Sequence, residues 1–297
     1  MPTSVVRILV SRHSAFYSPL ISAVAAGFLA DEGLDAAYRG VLPKGRAAAE
    51  MLRAGEADVV QAAVSSSWSA MERGEANLPV HFAQINQRDG FFLASRHPEP
   101  GFTWKDLEGR TLLADHGGQP LYMLKYALRC QGTDWSRIDV VDAGSIEQIE
   151  AAFRAGRGDY VHQQGPQPQQ LEQEGIAHVV ASVGEAMPPV AFSSLMAMPS
   201  FLESAEARAF TRAYRRARTW AQGTAAEEVT SREAPFFPGV DRDTLTAAIR
   251  RYQTLGCWLG NIDITRDLYE QALEVFLSTG AVRQRHPYEA VVVPPPE

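Results

Sequence analysis

The sequence is poor in cysteine, with only Cys130 and Cys257 in 297 residues. At most one bridge can form, so a disulfide framework is excluded, and no cysteine spacing matches a metal knuckle. A basic stripe is also missing. The formal net charge is -7. The densest cationic segment, Arg212, Arg215, Arg216 and Arg218, has the spacing of one solvated helix face rather than a phosphate track. Nucleic acid is therefore a poor partner. No window reaches the ~18 apolar residues of a membrane span. Met1 to Val10 has no basic segment followed by a long apolar one, as a leader would. The chain is read as soluble, without membrane insertion, and only the Pro294-Pro295-Pro296 tail is expected to be disordered.

What is present is an ordinary folded composition, 45% hydrophobic and 21% charged. The length exceeds what one compact core usually holds and points to two domains. Short β-branched runs alternate with helix-length runs from the start. Val5 to Val10 reads as a strand. Leu20, Ile21, Val24, Phe28 and Leu29 recur at helical spacing, and Gly33 ends that run. Ala36–Val41, Asp58–Ala63 and Val80–Ile85 read as strands, with helices at Ala47–Arg53 and Ser66–Arg73 between them. The rhythm restarts after Gly109. Arg110–Ala114, Ile138–Val141 and Asp159–His162 read as strands, and Gln119–Arg129 and Ile146–Arg154 as helices. Such βα alternation predicts mostly parallel sheets flanked by helices. Past Met198 the pattern becomes helical, over 205–222, 243–255 and 265–277.

An internal echo relates the two halves. Arg-Ala-Gly-Glu-Ala-Asp-Val-Val at 53–60 returns as Arg-Ala-Gly-Arg-Gly-Asp-Tyr-Val at 154–161. Ser11-Arg12-His13-Ser14 is matched by Ala114-Asp115-His116-Gly117. The same order, about a hundred residues apart, favours two similarly wound units.

Several segments resemble one family. Gly27-Phe28-Leu29-Ala30-Asp31-Glu32-Gly33-Leu34-Asp35 is similar to its "GYFKKEGLDV" segment. Leu52 to Val59 is similar to its "L.sGeaDv" step, Leu107 to Leu112 to "LKGKkiGv", and Ile264 to Tyr269 to a late helix start. The family is the type II periplasmic solute-binding proteins, in the branch of alkanesulfonate-, taurine-, nitrate- and thiamine-pyrimidine-precursor-binding proteins. One departure is visible. Where many members carry Trp-x-x-Pro, this chain has His162-Gln163-Gln164-Gly165-Pro166.

The resemblance implies a two-lobed α/β fold with two crossover hinges near 88–92 and 191–195. Lobe one would hold residues 1–88 and 194–297, and lobe two residues 89–193. It also implies a small polar or anionic ligand (a sulfonate, nitrate, carboxylate or pyrimidine-like molecule), closure of the lobes around it, and an ABC permease as partner. Residence would be periplasmic if a leader was removed, and cytoplasmic if Met1 is the native start. No cofactor or metal is expected.

In open α/β sheets ligands bind beyond the carboxyl ends of strands. The strand-end residues are therefore the candidates for ligand contact. They are His13, Phe16 and Tyr17 after the first strand, and Ser65, Ser66 and Trp68 after the third. Gln87 and Asp89 follow the fourth. In the second half they are His116, Gly117, Gly118 and Gln119, with His162 and Gln163 at the end of a further strand. Gly117-Gly118 allows close backbone approach at a helix start, where an oxyanion can be held. Each has a plainer alternative: a Gly-Gly turn, serine N-capping, core packing for Phe16, Tyr17 and Trp68, or loop histidines bonded to backbone. An enzyme on the same fold, desulfinase-like or pyrimidine-synthase-like, is the second reading. It finds no thiol constellation: Cys130 ends a helix away from the expected cleft, and Cys257 sits beside Trp258.

Overall fold

The computed structural model describes residues 4–297. The chain first builds β1 (Ser4–Val10), α1 (Ser18–Ala25), α2 (Phe28–Asp31), β2 (Leu34–Val41), α3 (Ala48–Arg53), β3 (Val59–Ala62), α4 (Ser65–Glu72) and β4 (Val80–Asn86). It then crosses over to β5 (Phe91–Ser95), β6 (Thr111–Leu113), α5 (Gln119–Cys130), β7 (Asp139–Val141), α6 (Ile146–Arg154), β8 (Tyr160–Gln164), α7 (Gln167–Gln173) and β9 (His178–Ser182). A second crossover returns it to β10 (Ser193–Ala197), α8 (Pro199–Leu202), α9 (Ala205–Gly223), α10 (Ala226–Glu233), α11 (Arg242–Leu255) and α12 (Arg266–Ser278).

Two five-stranded sheets result, ordered β2-β1-β3-β10-β4 and β7-β6-β8-β5-β9. They share one winding. In each, the strand that follows a crossover is inserted antiparallel between two strands of the other direction: β10 between β3 and β4, β5 between β8 and β9. The remaining ladders, β1 with β2 and β3, β6 with β7 and β8, are parallel. The sequence echo is thus a true structural repeat. The sheets are mixed rather than purely parallel because each crossover delivers its strand from the opposite direction.

Local chemistry accounts for the helix ends. A capping box between Ser145 and Gln148 opens α6, Pro120 sits in the first turn of α5, and the side chains of Asp241 and Thr265 accept backbone N–H groups at the starts of α11 and α12. The single helix expected through Leu29 is split in two, because Gly27 takes φ +85° between α1 and α2.

The crossovers run side by side. Val190 N–H donates to the Gln87 carbonyl at 2.9 Å and Phe192 N–H to that of Asn86 at 3.1 Å. A Cβ at Gly184 would lie 2.3 Å from the Asp89 carbonyl oxygen, so only glycine permits this backbone contact. Aromatic rings weld the region into the core. Phe16 lies 5.0 Å from Tyr252 and 5.2 Å from Phe192, and Phe92 lies 5.6 Å from Tyr252. The Tyr252 hydroxyl donates to the Gly90 carbonyl at 3.0 Å and accepts from Gly165 N–H at 2.7 Å, so α11 holds both a crossover and the end of β8.

Two expectations are corrected here. Arg218 is not part of a solvated face but is buried. It donates to the carbonyls of Ile85, Leu259, Gly260 and Asn261, stapling a loop to the end of β4. The C-terminal tail is ordered against the protein: Val292 bridges His81 in parallel beside β4, and Val291, Val292 and Pro295 are buried. That strip covers backbone groups of a sheet edge which would otherwise be open.

Candidate functional site in the cleft between the sheets

The carboxyl ends of β1, β3 and β6 open into one cleft of about 530 Å³. Ser11, Arg12 and Tyr17 reach it from beyond β1, Ala62, Ala63, Ser65 and Ser66 from β3 and α4, and Gly117, Gly118 and Gln119 from beyond β6. Phe91 and Phe192, each just past a crossover, form its inner wall with Ser193, and Tyr122 and Phe276 stand on another side.

Bonds join the strand-end segments of the two sheets. Ser65 Oγ donates to Gln119 Oε1 at 3.0 Å, and Gln119 Nε2 donates to the Phe192 carbonyl at 2.7 Å. Ser14 Oγ donates to the Gly165 carbonyl at 2.6 Å. The strongest is ionic: Arg12 Nη2 lies 2.7 Å from Asp115 Oδ2, with side chains 20% and 9% exposed. Arg12 also lies over the Phe91 ring, 5.3 Å from its centroid. Asp115 Oδ1 accepts the Gly117 N–H at 2.8 Å. Burial pushes the Asp115 carboxyl up, but the Arg12 charge and the Gly117 N–H outweigh it and hold the group below its ordinary value.

Six of the fourteen expected site residues line this cleft: Tyr17, Ser65, Ser66, Gly117, Gly118 and Gln119. Gly118 takes φ +83° and ψ -102°, a conformation closed to side chains, which turns the chain from Gly117 into α5. The others are placed elsewhere. His13 is tied into lobe one. Its Nε2 lies 2.7 Å from the Phe236 carbonyl and must donate to it, so its Nδ1 accepts from the Tyr38 hydroxyl at 2.8 Å. Burial lowers its pKa. Phe16 and Trp68 are core residues, and the Trp68 indole N–H donates to the Tyr269 hydroxyl at 2.8 Å. Gln87 bonds the Gly256 carbonyl at 3.2 Å on the crossover. His116 Nδ1 bonds the Ala114 carbonyl at 2.8 Å.

Asp89, His162 and Gln163 are buried behind the cleft wall, and they are unusual. His162 stacks on Phe91 at 4.6 Å, with neither ring nitrogen partnered. Burial pushes its pKa down to about 3, so it is neutral. Asp89 accepts the Phe91 N–H at 2.6 Å through Oδ1, its Oδ2 has no partner, and burial pushes its pKa up to about 8. Gln163 Oε1 and both amide atoms of Gln164 are also unpartnered. The three histidines do not converge. No group of three or more His, Cys, Asp or Glu side chains able to hold a metal occurs among the described residues.

Sequence reasoning missed the Arg12–Asp115 pair. The signal was available, because Arg12 and Asp115 occupy the same place in the echoed Ser11-Arg12-His13-Ser14 and Ala114-Asp115-His116-Gly117 turns. Neither cysteine belongs to the cleft. Cys130 is at the end of α5. Cys257 is buried, and burial pushes its thiol far above its ordinary value, the opposite of what a nucleophile needs.

Two sheets of one winding, joined by paired crossovers with their strand tips around a shared cleft, define the two-lobed type II periplasmic-binding-protein fold. Residues 15–227 match the family described as NMT1/THI5 like, and the chain belongs to that family. It is 29% identical over 291 residues to the "Putative binding protein YtlA" of Bacillus subtilis (strain 168), covering 97% of this chain and 87% of that protein. Two solved structures share the fold. The alkanesulfonate-binding protein SsuA from Xanthomonas axonopodis pv. citri, bound to MOPS, aligns with TM-score 0.74 at 16% identity over 99% of each chain. The ligand-binding component of an ABC-type import system from Staphylococcus aureus, with zinc bound, aligns with TM-score 0.74 at 15% identity over 98% of this chain and 97% of that one.

Proposed function

We propose that this protein is the solute-binding component of an ABC-type importer, and that its lobes close around one small polar molecule. The observation that carries this reading is the shared cleft of about 530 Å³, lined by strand ends of both sheets, with the Arg12–Asp115 pair joining the strand tips beside it. A cleft of this size between two lobes is an ordinary home for a small ligand, and hinge closure is the motion that paired crossovers allow. The names of the relatives, a binding protein and an import component among them, support the same class. We place lobe one at residues 1–88 and 194–297, lobe two at 89–193, and the hinges at the crossovers.

Of the two ligand classes that the sequence suggests, oxyanions and pyrimidine-like rings, the walls favour the ring. Tyr17, Phe192 and Tyr122 offer ring surface, and Ser11, Gln61, Ser65 and Ser66 offer hydroxyls and an amide. Both lining arginines are already ion-paired: Arg12 with Asp115, and Arg46 with Glu50 at 2.6 Å and Glu56 at 3.0 Å. The test is a thermal-shift panel of aminopyrimidines, carboxylates, sulfonates and nitrate, followed by small-angle scattering with any hit. A ring-bearing hit should raise the melting temperature by linkage and reduce the radius of gyration. If no solute of any class does either, the reading falls.

A further inference from the structure

We infer that Asp115 is a resident anion, held beside the cleft on the arginine that an oxyanion would need and so setting the specificity of the site against small oxyanions. This rests on the solute-binding reading and names the charge class of its ligand.

The geometry is that of an occupied anion site. An oxyanion in such a cleft needs a guanidinium and backbone N–H groups near a helix start. The Arg12 guanidinium and the Gly117 N–H are present, and one side chain takes both. Asp115 Oδ2 lies 2.7 Å from Arg12 Nη2, and Asp115 Oδ1 accepts the Gly117 N–H at 2.8 Å. The carboxylate is nearly buried, with a side-chain exposure of 9%, and it is held ionised by these same contacts. It comes from one lobe and the guanidinium from the other, so it completes the site only when the strand tips meet. The second arginine of the cleft brings no free charge, because Glu50 and Glu56 flank it.

An incoming oxyanion must either displace Asp115 from Arg12 or lie beside a like charge in a poorly solvated cleft. Both are unfavourable. A solute with N–H groups meets the opposite situation. The carboxylate lies beside the cavity rather than in its lining, so it acts on such a solute through its field, and the specificity element is chiefly repulsive.

The experiment uses the full chain, freed of copurified ligand, with ionic strength matched by sodium chloride. Sodium nitrate and sodium methanesulfonate are titrated calorimetrically into wild type, Asp115→Asn, Asp115→Ser and the double variant Arg12→Gln/Asp115→Asn. Circular dichroism verifies folding of each, and Asp115→Ser keeps an acceptor for the Gly117 N–H if the first variant is unstable. Wild type is expected to show no saturable binding up to about 10 mM. The single variants should bind at least one of the two anions about tenfold or more tighter than wild type, the effect of freeing a charge-assisted contact. The double variant should lose that gain. Sub-millimolar anion binding by wild type overturns the inference while leaving solute binding intact. Folded single variants as silent as wild type also overturn it, whatever other solute closes the lobes.

Discussion

The two sheets follow one plan and differ in how they treat polar groups. In lobe one the polar residue of the central strand β3, Gln61, is satisfied: its Oε1 accepts from Ser11 N–H at 3.0 Å and Ser11 Oγ at 2.9 Å. In lobe two the equivalent strand β8 carries His162, Gln163 and Gln164, and five of their side-chain polar atoms have no partner. The tips differ as well, with Arg12 after β1 and Asp115 after β6. A repeat that keeps its winding but reverses charge at one equivalent position becomes self-complementary across its own cleft. The central strand of one sheet is satisfied by side chains of its own lobe, and that of the other holds buried polar capacity beside the cleft wall.

The largest expected effects test whether the lobes are one folding unit. Trp68→Ala in lobe one and Phe153→Ala in lobe two each empty a fully buried aromatic site, and each should cost about 3–5 kcal/mol. Urea unfolding, followed by far-ultraviolet circular dichroism and by fluorescence, should give one transition shifted similarly by both. Two separate transitions, each moved by only one variant, would break the comparison into independent domains.

Next is a pH dependence. Glu233 is fully buried in lobe one, accepting from Ser18 Oγ at 2.8 Å and Ser22 Oγ at 2.5 Å. Burial raises its pKa from 4.5 to about 8, against the opposing effect of these bonds. A raised folded-state pKa gives stability that is complete below the unfolded value and lost as pH rises through the folded one. At about 1.36 kcal/mol per unit the loss between pH 4.5 and 8 is at most about 5 kcal/mol. Asp89, raised from 3.8 to about 8 by burial near the crossover, acts in the same window. Melting temperatures should fall from pH 5 towards pH 8.5 (about the span between the two states), and Glu233→Gln should remove part of that slope. A slope untouched by the variant would assign the dependence to Asp89 or elsewhere.

A smaller pair of effects sharpens the contrast between β3 and β8. Gln61→Leu removes two bonds to the exposed Ser11, whose N–H keeps the Gln61 backbone carbonyl, and should cost about 0.5–1.5 kcal/mol. Gln164→Leu removes an amide that has no partner, so it should be within about 1 kcal/mol of neutral or stabilising. Chemical denaturation measures both. A large loss for Gln164→Leu would place an ordered water on that amide. The smallest effect is expected at the thiols. Cys130→Ser, on the exposed end of α5, should change stability by less than about 0.5 kcal/mol, with ligand affinity unmoved in the thermal-shift panel.

Much of the fold was legible because its signals are local. Strands β1, β2, β3, β4, β6, β7 and β8 announce themselves as short apolar runs between glycine stops, and α9, α11 and α12 by apolar spacing. The echo at 53–60 and 154–161 foretold the repeat. Less legible were β9, with its half-buried face, and α7 and α10, whose sequences are polar and short. Propensity cannot identify helices that form only because neighbours pack on them. The site was half legible. Strand-end position named Tyr17, Ser65, Ser66, Gly117, Gly118 and Gln119, which line the cleft, but it cannot say whether a loop residue faces the gap or folds back. His13 folds back onto Phe236 and His116 onto Ala114.

The sequence by itself determined the alternation of elements, their repeat and the polarity of the strand tips, since periodicity, glycine stops and residue type act over a few neighbours. Tertiary structure alone decided that Arg218 is buried, that Val291 to Val293 pair with a sheet edge, and that Arg12 meets Asp115. Those outcomes depend on which distant backbone groups and charges are brought within a few ångströms, a consequence of packing that no local pattern carries.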